Sequence, residues 1–144
     1  MLITVVPSFE YVEHTADVGI KAFGRDINEA FENAAFAVFE LITDTSKVQI
    51  KERRSIEVRA LDLEGLLYKW IEALIVLHDS EGLVFSKFAV SVDEETKTLY
   101  GEALGEKFDP SRHEGRIVVK AITYHEMRVE RVDSLVVLNF VVDI

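Results

Sequence analysis

Apolar residues recur at two different periods along this chain, and the order of those periods is the tightest constraint on its fold. Ile27, Phe31, Ala34, Ala35, Val38 and Ile42 follow helical spacing, with Glu29, Glu32 and Glu40 largely off that stripe. Asp26 stands three residues before Glu29, the spacing of a capping box, so a helix is predicted over residues 27–42. A second helix begins after Asp62, a natural N-cap, with Leu61 and Leu66 spaced as a hydrophobic staple. Leu63, Leu66, Leu67, Trp70, Ile71, Leu74 and Leu77 form its apolar stripe, and it should end between His78 and Gly82. Elsewhere the period is two. Residues 9–12 are extended, and Val18, Ile20 and Ala22 alternate with Gly19, Lys21 and Phe23. Residues 55–60 make another strand. After Gly82 everything reads as β-structure: 84–92 and 98–105 about an acidic turn, then 116–123, then 126–132 and 135–142 about a tight Asp133-Ser134 turn. The last strand is apolar on both sides, with Val136, Leu138, Phe140 and Val142 opposite Leu135, Val137 and Val141. That pattern marks a central strand covered on both faces. The fold class is therefore α+β, two amphipathic helices packed on largely antiparallel β-sheet.

The 144 residues suit a single domain spanning residues 1–144, and with 49% apolar residues there is enough to build a core. No apolar run approaches the roughly 18 residues of a membrane span. The first residues, Met-Leu-Ile-Thr-Val-Val-Pro, lack the charged region of a secretory signal. The expectation is a soluble cytoplasmic protein with no membrane contact; its oligomeric state is not encoded in these patterns. Cysteine is absent, which removes disulfides, thiolate metal sites and thiol nucleophiles. The net charge of −10 argues against tight direct binding to a nucleic-acid backbone. Its acidic excess lies mainly in residues 1–100, with 18 acids to 10 bases, and suits either a solvated surface or a basic protein partner.

Two carboxylates draw attention. Asp17 enters a core strand from a segment of small residues, with His14 three positions before it; such an acid is often a turn former. Asp143 ends a strand that otherwise buries apolar groups, where a desolvated carboxylate needs a partner unless the strand end frays. With the terminal carboxylate of Ile144 they could bind a hard divalent cation, calcium in isolation, with magnesium or manganese as alternatives. The four histidines have no metal-site spacing, and no phosphate-binding loop or nucleophile elbow is present. Lys120, Ile122 and Tyr124 share a predicted strand face, where Lys120 and Tyr124 could hold a phosphate or simply cover the core edge. Arg112, Arg116, Arg128 and Arg131 could gather at one end of the sheet or pair with Glu114, Glu126 and Glu130 across strands.

Residues 11–24, Y-V-E-H-T-A-D-V-G-I-K-A-F-G, resemble the opening signature of the archease family. The helix E-A-F-E-N-A-A-F-A-V-F-E-L-I-T-D, the K-A-I-T-Y-H-E-M stretch at residues 120–127 and the V-V-D-I close continue the likeness from Phe9 to Ile144. Residues 1–8 have no counterpart in those motifs and suggest at most an edge strand. The resemblance implies a non-enzymatic accessory protein of the RtcB-type RNA ligase, which joins RNA ends in tRNA splicing and RNA repair. It implies promotion of ligase guanylylation and multiple turnover, a divalent metal site, and functional acids at Asp17 and Asp143. Two other readings stay open from the residues: a stand-alone metal-dependent phosphoesterase, and a general protein chaperone.

Overall fold

In the computed structural model, which describes residues 7–13 and 15–144, these periods resolve into seven strands and two α-helices. The order is β1 (Phe9–Glu13), β2 (Asp17–Gly24), α1 (Ile27–Ile42), β3 (Glu52–Arg59), α2 (Leu63–Glu81), β4 (Leu83–Asp93), β5 (Thr98–Lys107), β6 (Ala121–Val132) and β7 (Leu135–Asp143). The strands form two sheets, ordered β1-β2-β7-β6 and β3-β5-β4, with every neighbouring pair antiparallel. His14 and residues 1–6 of the edge strand suggested over residues 1–8 lie outside the described residues, and residues 7 and 8 precede β1.

Helix α1 runs over the residues its stripe predicts. Asp26 accepts the N–H of Glu29 at 2.8 Å, and the Glu29 carboxylate reaches back to the N–H of Arg25 at 3.1 Å, one residue earlier than in a standard capping box. More of α1 is buried than one stripe: Ala30, Ala37, Phe39 and Leu41 are also covered. The reason is its place between the sheets, packed on β2 on one side and β4 on the other. Gly24 permits the close approach to β2, since a Cβ there would lie 2.2 Å from the Ala30 nitrogen. Two polar side chains of α1 close the outer edge of β4: Asn28 accepts the N–H of Val92 and Glu32 that of Val90, each at 2.9 Å. Burial raises the pKa of Glu32, opposed by the Val90 hydrogen bond.

Helix α2 is capped by Asp62, which accepts the N–H of Gly65 at 2.7 Å, and ends on Gly82 in the left-handed region that suits glycine. Fully buried Trp70 donates its indole N–H to the Phe31 carbonyl at 3.1 Å and ties α2 to α1. The hydrophobic staple is absent: Leu66 is buried, but Leu61 is 100% exposed. The β3–α2 connection carries Leu61 away from the helix.

Two expectations about the C-terminal strands need correction. Residues 116–120 are not a strand; β6 starts at Ala121 and runs unbroken to Val132, so one strand replaces the predicted two. The apparent break is a bulge between Thr123 and Arg128, with Glu126 at φ 55°. Strand β7 is central, as its composition requires, and Val136, Leu138, Phe140 and Val142 enter the core. Its other face carries no helix among the described residues; Val137 and Val141 are buried there among side chains of β2 and β6. The arginines do not gather: Arg116 pairs with Glu114 and Glu40, Arg128 with Glu130, Arg131 with Glu94, and Arg112 with Glu106.

That last pair anchors the long β5–β6 connection. Glu106 is buried and accepts the N–H of Gln49 at 2.6 Å and the Nε2–H of His113 at 3.0 Å, with the Arg112 guanidinium on its other oxygen. His113 accepts the N–H of Asp109 on Nδ1 at 2.8 Å, which fixes the neutral Nε2–H tautomer. Burial works against the Glu106 charge, but these hydrogen bonds outweigh it and lower the pKa from 4.5 to about 2. A depressed carboxylate contributes stability above its unfolded pKa and loses it as pH falls through the folded one. Acid unfolding followed by circular dichroism should therefore draw a steep stability loss from about pH 4.5 towards 2. Glu106→Gln should cost about 3 kcal/mol at neutral pH and flatten that limb.

Candidate metal centre at the paired ends of β2 and β7

The alternation that buries Val18, Ile20 and Ala22 puts Asp17 on the opposite face of β2, with Gly19, Lys21 and Phe23. The same rule puts Asp143 on the face of β7 that carries Val137, Asn139 and Val141. Antiparallel register then decides the geometry: Asp17 is the direct cross-strand partner of Asp143. Direct partners on one face hold their Cβ atoms about 4.5–5.5 Å apart. The structure thus brings together two carboxylates separated by most of the chain.

Neighbouring main chain locks the arrangement. Ile144 donates its N–H to the Ala16 carbonyl at 3.1 Å, so pairing continues past Asp143. Lys120 donates its N–H to the Asp143 carbonyl at 2.8 Å, and Ala121 faces Asp143 from β6. Asp143 is therefore flanked on both sides, with its side chain exposed. No sequence pattern marks the Ala16 carbonyl or the Lys120 N–H for this role; long-range pairing alone puts them there.

Electrostatically the pair is unbalanced. Neither carboxylate forms an ion pair among the described residues. Oδ1 of Asp17 is buried and accepts no hydrogen bond there. A buried carboxylate oxygen without a donor, facing a second carboxylate, is costly unless a positive charge joins it. Oxygen donors of this kind suit a hard cation such as Ca²⁺ or Mg²⁺, so the residues present fit the metal expected from sequence. Among the described residues no group of three or more His, Asp or Glu side chains assembles, so further donors must be main-chain oxygen, the Ile144 carboxylate, water or a partner's groups. Of the other candidates, Lys120 adjoins the pair through its main chain and its side chain is exposed just before β6, while Tyr124 stacks on Tyr68 instead of covering the core edge.

Relieving this unbalanced charge should stabilise the metal-free protein. Asp17→Asn in a chelating buffer should gain about 0.5–1 kcal/mol in thermal or urea unfolding. A loss of stability would mean that Asp17 is already compensated.

The comparisons with known proteins agree with this architecture. The model of the Archease protein family (MTH1598/TM1083) matches residues 9–144. Protein archease of Sulfurisphaera tokodaii is 61% identical over 136 residues, covering 94% of this chain and 98% of that protein. Protein archease of Sulfolobus acidocaldarius is 57% identical over the same length and shares. The solution structure of Methanobacterium thermoautotrophicum protein 1598 superposes with a TM-score of 0.84 at 42% identity, covering 95% of this chain and 99% of that one. The Thermotoga maritima archease, described as a possible chaperone, matches in fold with a TM-score of 0.65 at 20% identity over 100% of both chains. The chain belongs to the archease family.

Proposed function

We propose that this protein is a metal-binding accessory factor that activates an RtcB-type RNA ligase in tRNA splicing and RNA repair, promoting ligase guanylylation and multiple turnover. The observation that carries the reading is the register pairing of Asp17 with Asp143, with Oδ1 of Asp17 buried and without a donor. Asp17, Asp143 and the Ile144 carboxylate would hold the cation. When bound, it supplies compensating charge and a Lewis acid at the sheet's end. Calcium takes six to eight oxygen ligands, more than these residues provide, so positions are left for water or for groups of the partner. The surrounding chain keeps the two residues in direct cross-strand register and anchors Asp143 from both neighbouring strands.

This role suits a protein without a hydrolytic centre of its own. A stand-alone phosphoesterase needs a ligand set that also activates a nucleophile, and two facing aspartates are a thin set for that chemistry. The chaperone reading is favoured by the description of the Thermotoga maritima relative. No helix among the described residues is long and apolar enough to cross a membrane.

Two measurements test the proposal together. Calcium should raise the unfolding midpoint of the wild type and leave Asp17→Ala and Asp143→Ala unmoved. In multiple-turnover RNA joining with a cognate ligase, the wild type should stimulate guanylylation, and either substitution should remove most of that gain. Full stimulation by both variants would refute the acidic site. Suppression of aggregation of unrelated unfolded proteins, unchanged by chelator, would favour the chaperone reading instead.

A further inference from the structure

Beside the start of α2 lies a groove of about 630 Å³ whose walls include Arg59, Ala60, Leu61, Asp62, Lys69 and Tyr124. Leu61 is fully exposed and Tyr124 is 61% exposed, so two large apolar groups face water in one concavity. The Tyr124 ring stacks flat on Tyr68, with centroids 4.1 Å apart and planes within 2°. Tyr124 lines the groove and Tyr68 does not. One face of the Tyr124 ring is therefore taken by Tyr68, and the other is offered to the groove. The bulge of β6 puts the ring there, since Tyr124 falls between the register positions Thr123 and Arg128.

The groove's charge is opposite to that of the molecule. In a chain of net charge −10, its rim carries two exposed cations, Arg59 and Lys69. Lys69 is held in place by donating to the Arg59 carbonyl at 2.6 Å, and the Arg59 guanidinium forms no ion pair among the described residues. Asp62 is the one carboxylate of the lining, and its Oδ1 is engaged by the Gly65 N–H at 2.7 Å. A free aromatic face calls for a planar ligand, and a cationic rim for an anionic one. The volume lies within the range of small-molecule sites.

We propose that this groove binds a nucleoside monophosphate, with the base stacked on Tyr124 beside Leu61 and the phosphate between Arg59 and Lys69. The site is separate from the Asp17–Asp143 pair and stands or falls independently of it. The test is a titration of the ¹⁵N-labelled full chain with AMP at low salt, in chelator so that no metal bridges phosphate to the acidic pair. Saturable shifts confined to the amides of residues 59–69 and 121–127 are expected. Adenosine and ribose 5-phosphate, each with only one of the two recognised features, should bind at least about fivefold more weakly. Tyr124→Phe should retain the affinity and Tyr124→Ala should lose at least about fivefold. Arg59→Ala should weaken binding and reduce its salt dependence. No saturation by about 10 mM AMP, equal binding of ribose 5-phosphate, or unchanged affinity in Tyr124→Ala would overturn the proposal.

Discussion

The pairing of β2 with β7 is the contact on which the rest of this structure depends. It joins the beginning and the end of the described chain in adjacent strands and makes β7 the centre of the four-stranded sheet. One register then serves two purposes. Facing inward, Val18, Ile20 and Ala22 meet Val142, Phe140 and Leu138 and complete the floor under α1. Facing outward, the same register sets Asp17 against Asp143. A slip of one residue would turn both sets round, burying the acids and exposing the valines. Core burial therefore decides which face of the sheet carries the carboxylates. Closing so long a loop before its contacts can form also makes this pairing an entropically demanding step in folding.

The two helices divide the remaining work. Helix α1 is shared by the sheets and is buried on more sides than its stripe announces, with alanines where strands approach closely. Helix α2 covers the second sheet and the β6 edge, and the Trp70–Phe31 hydrogen bond ties it to α1. The buried Glu106 cluster holds the β5–β6 connection, the segment that delivers the Lys120 N–H to Asp143. A network remote from the acidic pair thus supports one of its fixing bonds.

Local physics was legible in the sequence wherever it acts over a few residues. The bounds of α1, both aspartate caps and the Asp133-Ser134 turn follow from spacing and side-chain chemistry. What could not be read depends on partners distant in sequence. The β6 bulge looks like a gap between strands because four residues, Tyr124 to Met127, interrupt the alternation, while continuity comes only from pairing with β7. Leu61 has staple spacing, yet the direction of the β3–α2 connection leaves it in water. The acids are the sharpest case. Asp17 alone reads as a turn former and Asp143 alone as a frayed end; family resemblance singled them out, and only the antiparallel register explains why they belong together.

The two side chains that α1 lends to β4 have a consequence for how this protein behaves in company. A strand at the margin of a sheet exposes main-chain donors that a foreign strand can use, the start of amyloid-like stacking. Asn28 and Glu32 occupy the Val92 and Val90 donors from within the molecule. The amphipathic helix thereby acts as an internal competitor for templated polymerisation. Loosening α1 would do more than weaken a core, because it would uncover a β-strand able to recruit copies of itself.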